Sequence, residues 1–173
     1  EYGIAKRSFD IYKSHKSAMA LLSTIVNKTA ATKSNDDILI VREVIKYTDK
    51  SESRYYNLLS EYYKYIGASE NEKRTIRLWG KTLPNDSIYK TAGRSRLAYL
   101  LMTDNDFRNS AVLYLQLESE YGGYAFESAY CAEQALSAGF TIERINYYKV
   151  IELYKRSNTA EGFYNAGLIY LRI

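Results

Sequence analysis

The amino-acid sequence predicts an all-α chain folded as a right-handed α-solenoid, a stack of antiparallel helix pairs. Three observations carry that expectation. The chain matches itself at a step of about 34 residues, aligning Ala98, Ala132 and Ala166, Leu83, Leu117 and Ile151, Trp79, Leu113 and Tyr147, Tyr65 and Tyr99, Tyr114 and Tyr148, and Tyr130 and Tyr164. Apolar residues recur every third or fourth position, as in Ile38, Val41, Val44 and Ile45, and strand-like alternation is never sustained. Proline occurs once, at Pro84, so long helices with short links are allowed throughout. A unit of this size cannot bury its apolar face alone, and neighbouring units must stack to do so.

The elements follow in chain order. Helices are predicted over 4–29, 35–48, 53–67, 70–82, 86–102, 106–120, 123–138, 141–156 and 159–172. Asn35-Asp36-Asp37, Asn85-Asp86-Ser87, Asp104-Asn105-Asp106 and Thr141-Ile142-Glu143 supply oxygens or negative charge where open helix amides need them. Gly67, Gly122 with Gly123, and Gly139 supply left-handed stops. The Thr24 to Ser34 segment, rich in Thr, Ala, Lys and Asn, reads as a frayed helix end or a loop. One domain over 1–173 is expected, with divergent helices in 1–50 and repeat units in 53–173.

Composition bounds the function. Aromatic residues make up 14% of the 173 residues, and 19 of them are tyrosines, so tyrosine must supply much of the core. The five tyrosines Tyr55, Tyr56, Tyr62, Tyr63 and Tyr65 crowd one helix, and at least two are expected to face outward. Cys131, the single cysteine, cannot form an intrachain disulfide and sits among alanines as a packed thiol would. No apolar run reaches the roughly 20 residues that span a bilayer. The chain opens on Glu1 rather than Met, which favours an envelope or secreted location over the cytoplasm.

No residue set demands a reaction. The lone histidine, His15, lies among Lys13, Ser14 and Lys16, away from any Gly-x-Ser-x-Gly turn. Trp79-Gly80-Lys81-Thr82 lacks the first glycine of a nucleotide-binding loop. Neither catalysis nor a metal or other cofactor is therefore expected. The carboxylates Asp104, Asp106, Glu118 and Glu120 sit near helix ends, where capping explains them. A glycan-acting hydrolase with two facing carboxylates is the enzyme alternative.

Charge is polarised along the chain. Lys73, Arg74, Arg77, Lys81, Lys90, Arg94 and Arg96 face only Asp86 in their stretch, whereas Asp104, Asp106, Glu118, Glu120, Glu127 and Glu133 face only Arg108 in the next. Two expectations arise. Either successive helices neutralise one another, or the surface steers a charged partner.

The last two units resemble tetratricopeptide-class repeats, and more closely the Sel-one-like variant. The stretch Ala160 to Tyr170 resembles that variant's first helix, and Tyr130-Cys131-Ala132 through Ala138-Gly139 with Tyr147-Tyr148 resembles the preceding unit. Tyr99 and Glu133 stand where Gly167 does, and the variant's glycine-rich loop is absent, so a generic tetratricopeptide-like array fits as well. The resemblance implies a non-enzymatic scaffold that binds a partner protein segment on its concave face, in bacterial envelope assembly or polysaccharide export. The groove residues expected are Lys90, Arg94, Tyr99, Tyr62 and Tyr130. The alternative is a polyanion or anionic-glycan site at Lys73, Arg74, Arg77, Lys81 and Arg96. A net charge of only +4 argues against nucleic acid.

Overall fold

The computed structural model describes residues 1–28 and 35–173. The end of the first expected helix, at residue 29, and most of the Thr24 to Ser34 segment lie outside the described residues. Among those described, the chain forms ten α-helices and no strand, with one isolated bridge between Ile142 and Ile145. They are α1 (Tyr2–Tyr12), α2 (His15–Val26), α3 (Asn35–Val44), α4 (Ser53–Tyr65), α5 (Ser69–Thr82), α6 (Arg94–Thr103), α7 (Phe107–Tyr121), α8 (Ala125–Ser137), α9 (Tyr147–Arg156) and α10 (Ala160–Tyr170). A π-helical segment, Tyr89–Gly93, leads into α6. The chain divides into two compact units, Glu1–Lys90 and Thr91–Ile173.

In the first unit α2 is the central element, packed against α1, α3 and α4, while α4 also packs on α5. The expected 4–29 helix is two helices. Lys13 takes a left-handed conformation (φ 44°), and Ser14 and Ser17 form a reciprocal cap in which each side chain accepts from the other's backbone N–H. That cap satisfies the amides a break would otherwise orphan, so the helix ends there at little energetic penalty. Phe9 and Ala5 then fold back on α2, with Lys13 Nζ resting 4.2 Å from the Phe9 ring centroid.

In the second unit every helix packs on its sequence neighbours, α6 on α7, α7 on α8, α8 on α9 and α9 on α10. One buried cluster runs through all five, from Ala98 and Tyr114 to Tyr154, Ala166 and Ile169. Ala98, Ala132 and Ala166 are all buried at the expected 34-residue step. Small residues there let helices approach closely.

The repeat is also written in the backbone. After α4, α6 and α8 the chain closes the same way: Ala68 N–H donates to Tyr63 O, Asp106 N–H to Leu101 O and Phe140 N–H to Ala135 O, each behind a left-handed Gly67, Asn105 or Gly139. Those three residues are spaced 38 and then 34 apart. The earlier interval is therefore four residues longer than the later one. Burial follows the longer step: Ser60 and Ala98 correspond, and the buried Glu72, Lys73, Ile76 and Trp79 of α5 match the buried Ser110, Ala111, Tyr114 and Leu117 of α7. Aligning Trp79 with Leu113, Leu83 with Leu117 and Tyr65 with Tyr99 is corrected accordingly, although Trp79 is a core residue as expected.

A second boundary also moves. The apolar spacing of Ile142 and Ile145 reads as a helix turn, but Ile145 N–H donates to Ile142 O across a tight turn with Arg144 left-handed (φ 61°). Such a turn also sets residues i and i+3 side by side, so spacing alone does not separate the two. The cap of α9 is Asn146, whose side chain accepts from Lys149 N–H, rather than Thr141.

Gly162 on α10 faces the Tyr154 carbonyl of α9, and a Cβ there would lie 2.5 Å from that oxygen. Gly162→Ala should therefore destabilise the protein by about 1–3 kcal/mol, as should Ala132→Leu through overpacking. Urea denaturation measures both, and an unchanged midpoint would contradict the packing described.

Candidate interaction surface

The basic and acidic stretches meet in one bidentate ion pair, and two further acids of the acidic stretch pair with arginines later in the chain. Arg94 at the start of α6 donates from Nη1 and Nη2 to Glu120 Oε1 and Oε2 near the end of α7, at 3.0 and 2.5 Å. That hydrogen bond raises the Arg94 pKa further and keeps its guanidinium charged. Glu118 of α7 is almost wholly enclosed: Oε2 accepts the Tyr124 N–H at 2.6 Å, and Oε1 pairs with Arg156 of α9 at 3.1 Å. Glu133 of α8 accepts the Tyr154 hydroxyl at 2.8 Å and pairs with Arg172 at 3.4 Å. Three acids of the acidic stretch are thus held by arginines, Arg94 of α6, Arg156 of α9 and Arg172 just beyond α10.

The expected groove residues are placed unevenly. Tyr99 is 44% exposed on α6, and the Arg96 guanidinium lies 5.1 Å from its ring centroid, one helical turn away. Tyr130 on α8 is half-buried with its ring edge-on to Phe107 at 6.1 Å. Arg94 is committed to Glu120, and Lys90 is half-buried in the π-helical segment. Tyr62 is buried at 3% exposure and offers no surface. It occupies the position that Leu100 takes 38 residues later, on the core side of its helix. Of the crowded tyrosines, Tyr55, Tyr56 and Tyr62 are buried, Tyr63 is partly so, and Tyr65 alone is exposed. The expected outward pair is reduced to one because α4 packs on both α2 and α5.

The expected polyanion residues also separate. Lys73 is buried and paired with Glu70 at 2.5 Å. Arg74, Arg77 and Lys81 are exposed on one face of α5 at helical spacings of three and four, with Leu78 among them. None of the three has an ion-pair partner among the described residues. Asp86 works inside the first unit: its Oδ1 accepts from Ser53 Oγ at 2.9 Å and from Tyr89 N–H at 2.7 Å. This cap starts the turn that lays the Tyr89 ring against Trp79 at 5.9 Å and over Gly80.

Other titratable groups are structural. His15 accepts the Asp49 N–H at Nδ1 (2.8 Å) and contacts Glu52 at Nε2 (3.1 Å), tying the start of α2 to the segment before α4. Cys131 is fully buried beside Ser110 Oγ at 3.3 Å, and Ser110 Oγ donates in turn to Ala98 O at 2.8 Å. Burial pushes the Cys131 thiol up to about 11 and the Tyr62 phenol up to about 12. A groove of about 270 Å³ beside α8 is lined by Glu118, Glu127 and Arg156, but Glu118 is already bound to Arg156 and Tyr124. Among the described residues no group of three His, Cys, Asp or Glu side chains gathers to hold a metal, and no helix is long and apolar enough to cross a membrane.

No family model, no curated protein and no solved structure matches the chain. Sequence and structure together establish an all-α protein whose neighbouring helices pack in a manner compatible with a helical repeat.

The alkaline limb of stability draws on Cys131 and Tyr62 and on Tyr55, Tyr114 and Tyr154, whose phenols burial also raises. Folding holds their protons more tightly than the unfolded chain does, so the contribution of Cys131 and Tyr62 is complete below pH 9 and falls as pH rises toward 11 and 12. The urea midpoint should drop between pH 8.5 and 11, and Cys131→Ala should flatten that drop without abolishing it. A midpoint that rises with pH would contradict the assignment.

Proposed function

We propose that the chain is a non-enzymatic scaffold of tetratricopeptide or Sel-one-like type, a right-handed α-solenoid that captures a segment of another protein. The observation that carries the reading is the register of the second unit. Ala98 and Ala132 face inward at equivalent positions of α6 and α8, and those helices turn Arg96, Tyr99 and Tyr130 toward accessible surface. Rigid helices present these groups with their ordering already complete, so most of the ordering cost falls on the incoming segment. An arginine over an exposed tyrosine suits a segment carrying a carboxylate beside an apolar residue. The residue types match those enriched at protein contacts. Bacterial envelope assembly or polysaccharide export is the setting that the family resemblance favours.

Selection of peptides from a display library tests this directly. Enriched peptides should lose at least about tenfold in affinity, some 1.4 kcal/mol, with Tyr99→Ala or Arg96→Ala. Peptides that bind these variants and the parent equally would refute the proposed surface.

A second reading rests on α5. The unpaired Arg74, Arg77 and Lys81 form a cationic stripe suited to an anionic glycan or other polyanion. If this stripe binds, retention on a heparin column falls to lower salt by similar steps for Arg74→Gln, Arg77→Gln and Lys81→Gln, and Lys64→Gln on α4 has no effect. Unchanged retention in the three variants excludes the stripe.

A further inference from the structure

We propose that the pocket between the starts of α2 and α4 binds a small phosphate monoester, gripped by Lys16 and Arg54. On α2, His15 with Met19 and Lys16 with Ala20 are each four residues apart, so all four lie on neighbouring positions of one side. The packing of α4 on α2 brings Glu52 and Arg54 to the same place. Together the six residues line a pocket of about 360 Å³. Small-molecule sites begin at about 300 Å³, so the ligand must be compact.

The charges around the pocket are arranged unevenly. Two acids stand near it, and both are committed. His15 accepts the Asp49 N–H at Nδ1 (2.8 Å), so in the neutral ring the proton sits on Nε2, which meets Glu52 Oε1 at 3.1 Å. The imidazole therefore holds the Glu52 carboxylate, while Asp49 Oδ1 accepts the Ser51 N–H at 2.8 Å. Lys16 and Arg54 are exposed, come from different helices and have no ion-pair partner among the described residues. Elsewhere in this unit Lys6, Lys28, Lys46, Lys64 and Lys73 each rest on an acid. Two cations gathered at one pocket, with the neighbouring acids held by other groups, favour an anion there. Glu52 remains a negative charge on the wall and weakens the site.

The two cations and the rest of the lining set the ligand class. Arg54 offers a planar fork of donors and Lys16 a compact ammonium, and phosphate oxygens accept strongly from both. A phosphate monoester carries about −1.5 to −2 at neutral pH, a charge that two unpaired cations match and that a single carboxylate does not supply. The other lining side chains, Met19 and Ala20, are apolar. The Met19 thioether is polarizable and packs well against an aromatic ring. A phosphate ester with one compact apolar group therefore fits the pocket better than a bare inorganic ion. The site shares no residue with the Arg74, Arg77 and Lys81 stripe of α5, and either stands without the other.

The chain has two methionines, Met19 at the pocket and Met102 on α6 in the other unit, so protein carrying ¹³C-methyl methionine reports the site with an internal control. Titration with phenyl phosphate should move the Met19 methyl signal saturably and leave the Met102 signal in place. Inorganic phosphate should bind at least about threefold more weakly for want of the apolar contact, and benzoate at least about fivefold more weakly for want of the second charge. Lys16→Gln and Arg54→Gln should each lower the affinity for phenyl phosphate by at least about fivefold, Glu52→Gln should raise it by about twofold or more, and Lys46→Gln should leave it unchanged. Melting temperatures of the Lys16 and Arg54 variants should stay near the parent's, since both side chains are exposed. A Met19 signal that stays still, or that moves equally in the parent and in Arg54→Gln, overturns the proposal. Benzoate or inorganic phosphate binding as tightly as phenyl phosphate also overturns it, because the pocket then takes any small anion.

Discussion

Every helix among the described residues depends on being covered by its neighbour. The helices run from 10 to 15 residues, a length at which an isolated helix is marginal in water, and each carries an apolar side that only another helix can remove from solvent. Close approach is what makes that covering effective. It is supplied by Ala98, Ala132 and Ala166 along the second unit, by Gly162 against the Tyr154 carbonyl, and by Gly80 under the Tyr89 ring. Where a small residue sits the backbones can meet, and the tyrosines and Trp79 fill the space left around those contacts.

Electrostatics then serves packing more than it serves recognition. The basic and acidic stretches look like a polarised surface when laid out along the chain, yet Arg94 of the basic stretch pairs with Glu120, and Arg156 and Arg172 from later in the chain pair with Glu118 and Glu133. Exposed pairs of this kind contribute only about 0–1 kcal/mol each, so their value lies in setting which helix faces which. Glu118 is the exception in degree, because it is enclosed and also accepts a backbone N–H; removing Arg156 would leave a buried carboxylate short of a partner. Within the basic stretch, Arg74, Arg77 and Lys81 have no such pairing role among the described residues.

Much of the fold is legible in the sequence. The 34-residue step located α6, α8 and α10, and the glycines at 67, 122 and 139 located three helix ends. Other ends used signals of a different chemistry. Asn105 and Asn158 take the left-handed position by virtue of a short polar side chain, and Lys13 does so because Ser14 and Ser17 cap the helix beyond it. A fixed step also fails across an insertion. Four extra residues precede α6, so Ser60 rather than Lys64 corresponds to Ala98, and Tyr62 falls on the core side of α4.

The sequence alone determined the class, since three-to-four spacing, a single proline and periodic small residues admit only stacked helices. Tertiary structure decided which side chains are available. Helical periodicity states that two residues share a face, but it does not state what covers that face. Tyr62 and Lys73 are taken from the surface by neighbours distant in sequence or by enclosure in the core, whereas Tyr99, Phe163 and Arg77 remain open. Burial is set by the packing of whole helices, and a local pattern of residues carries no record of it.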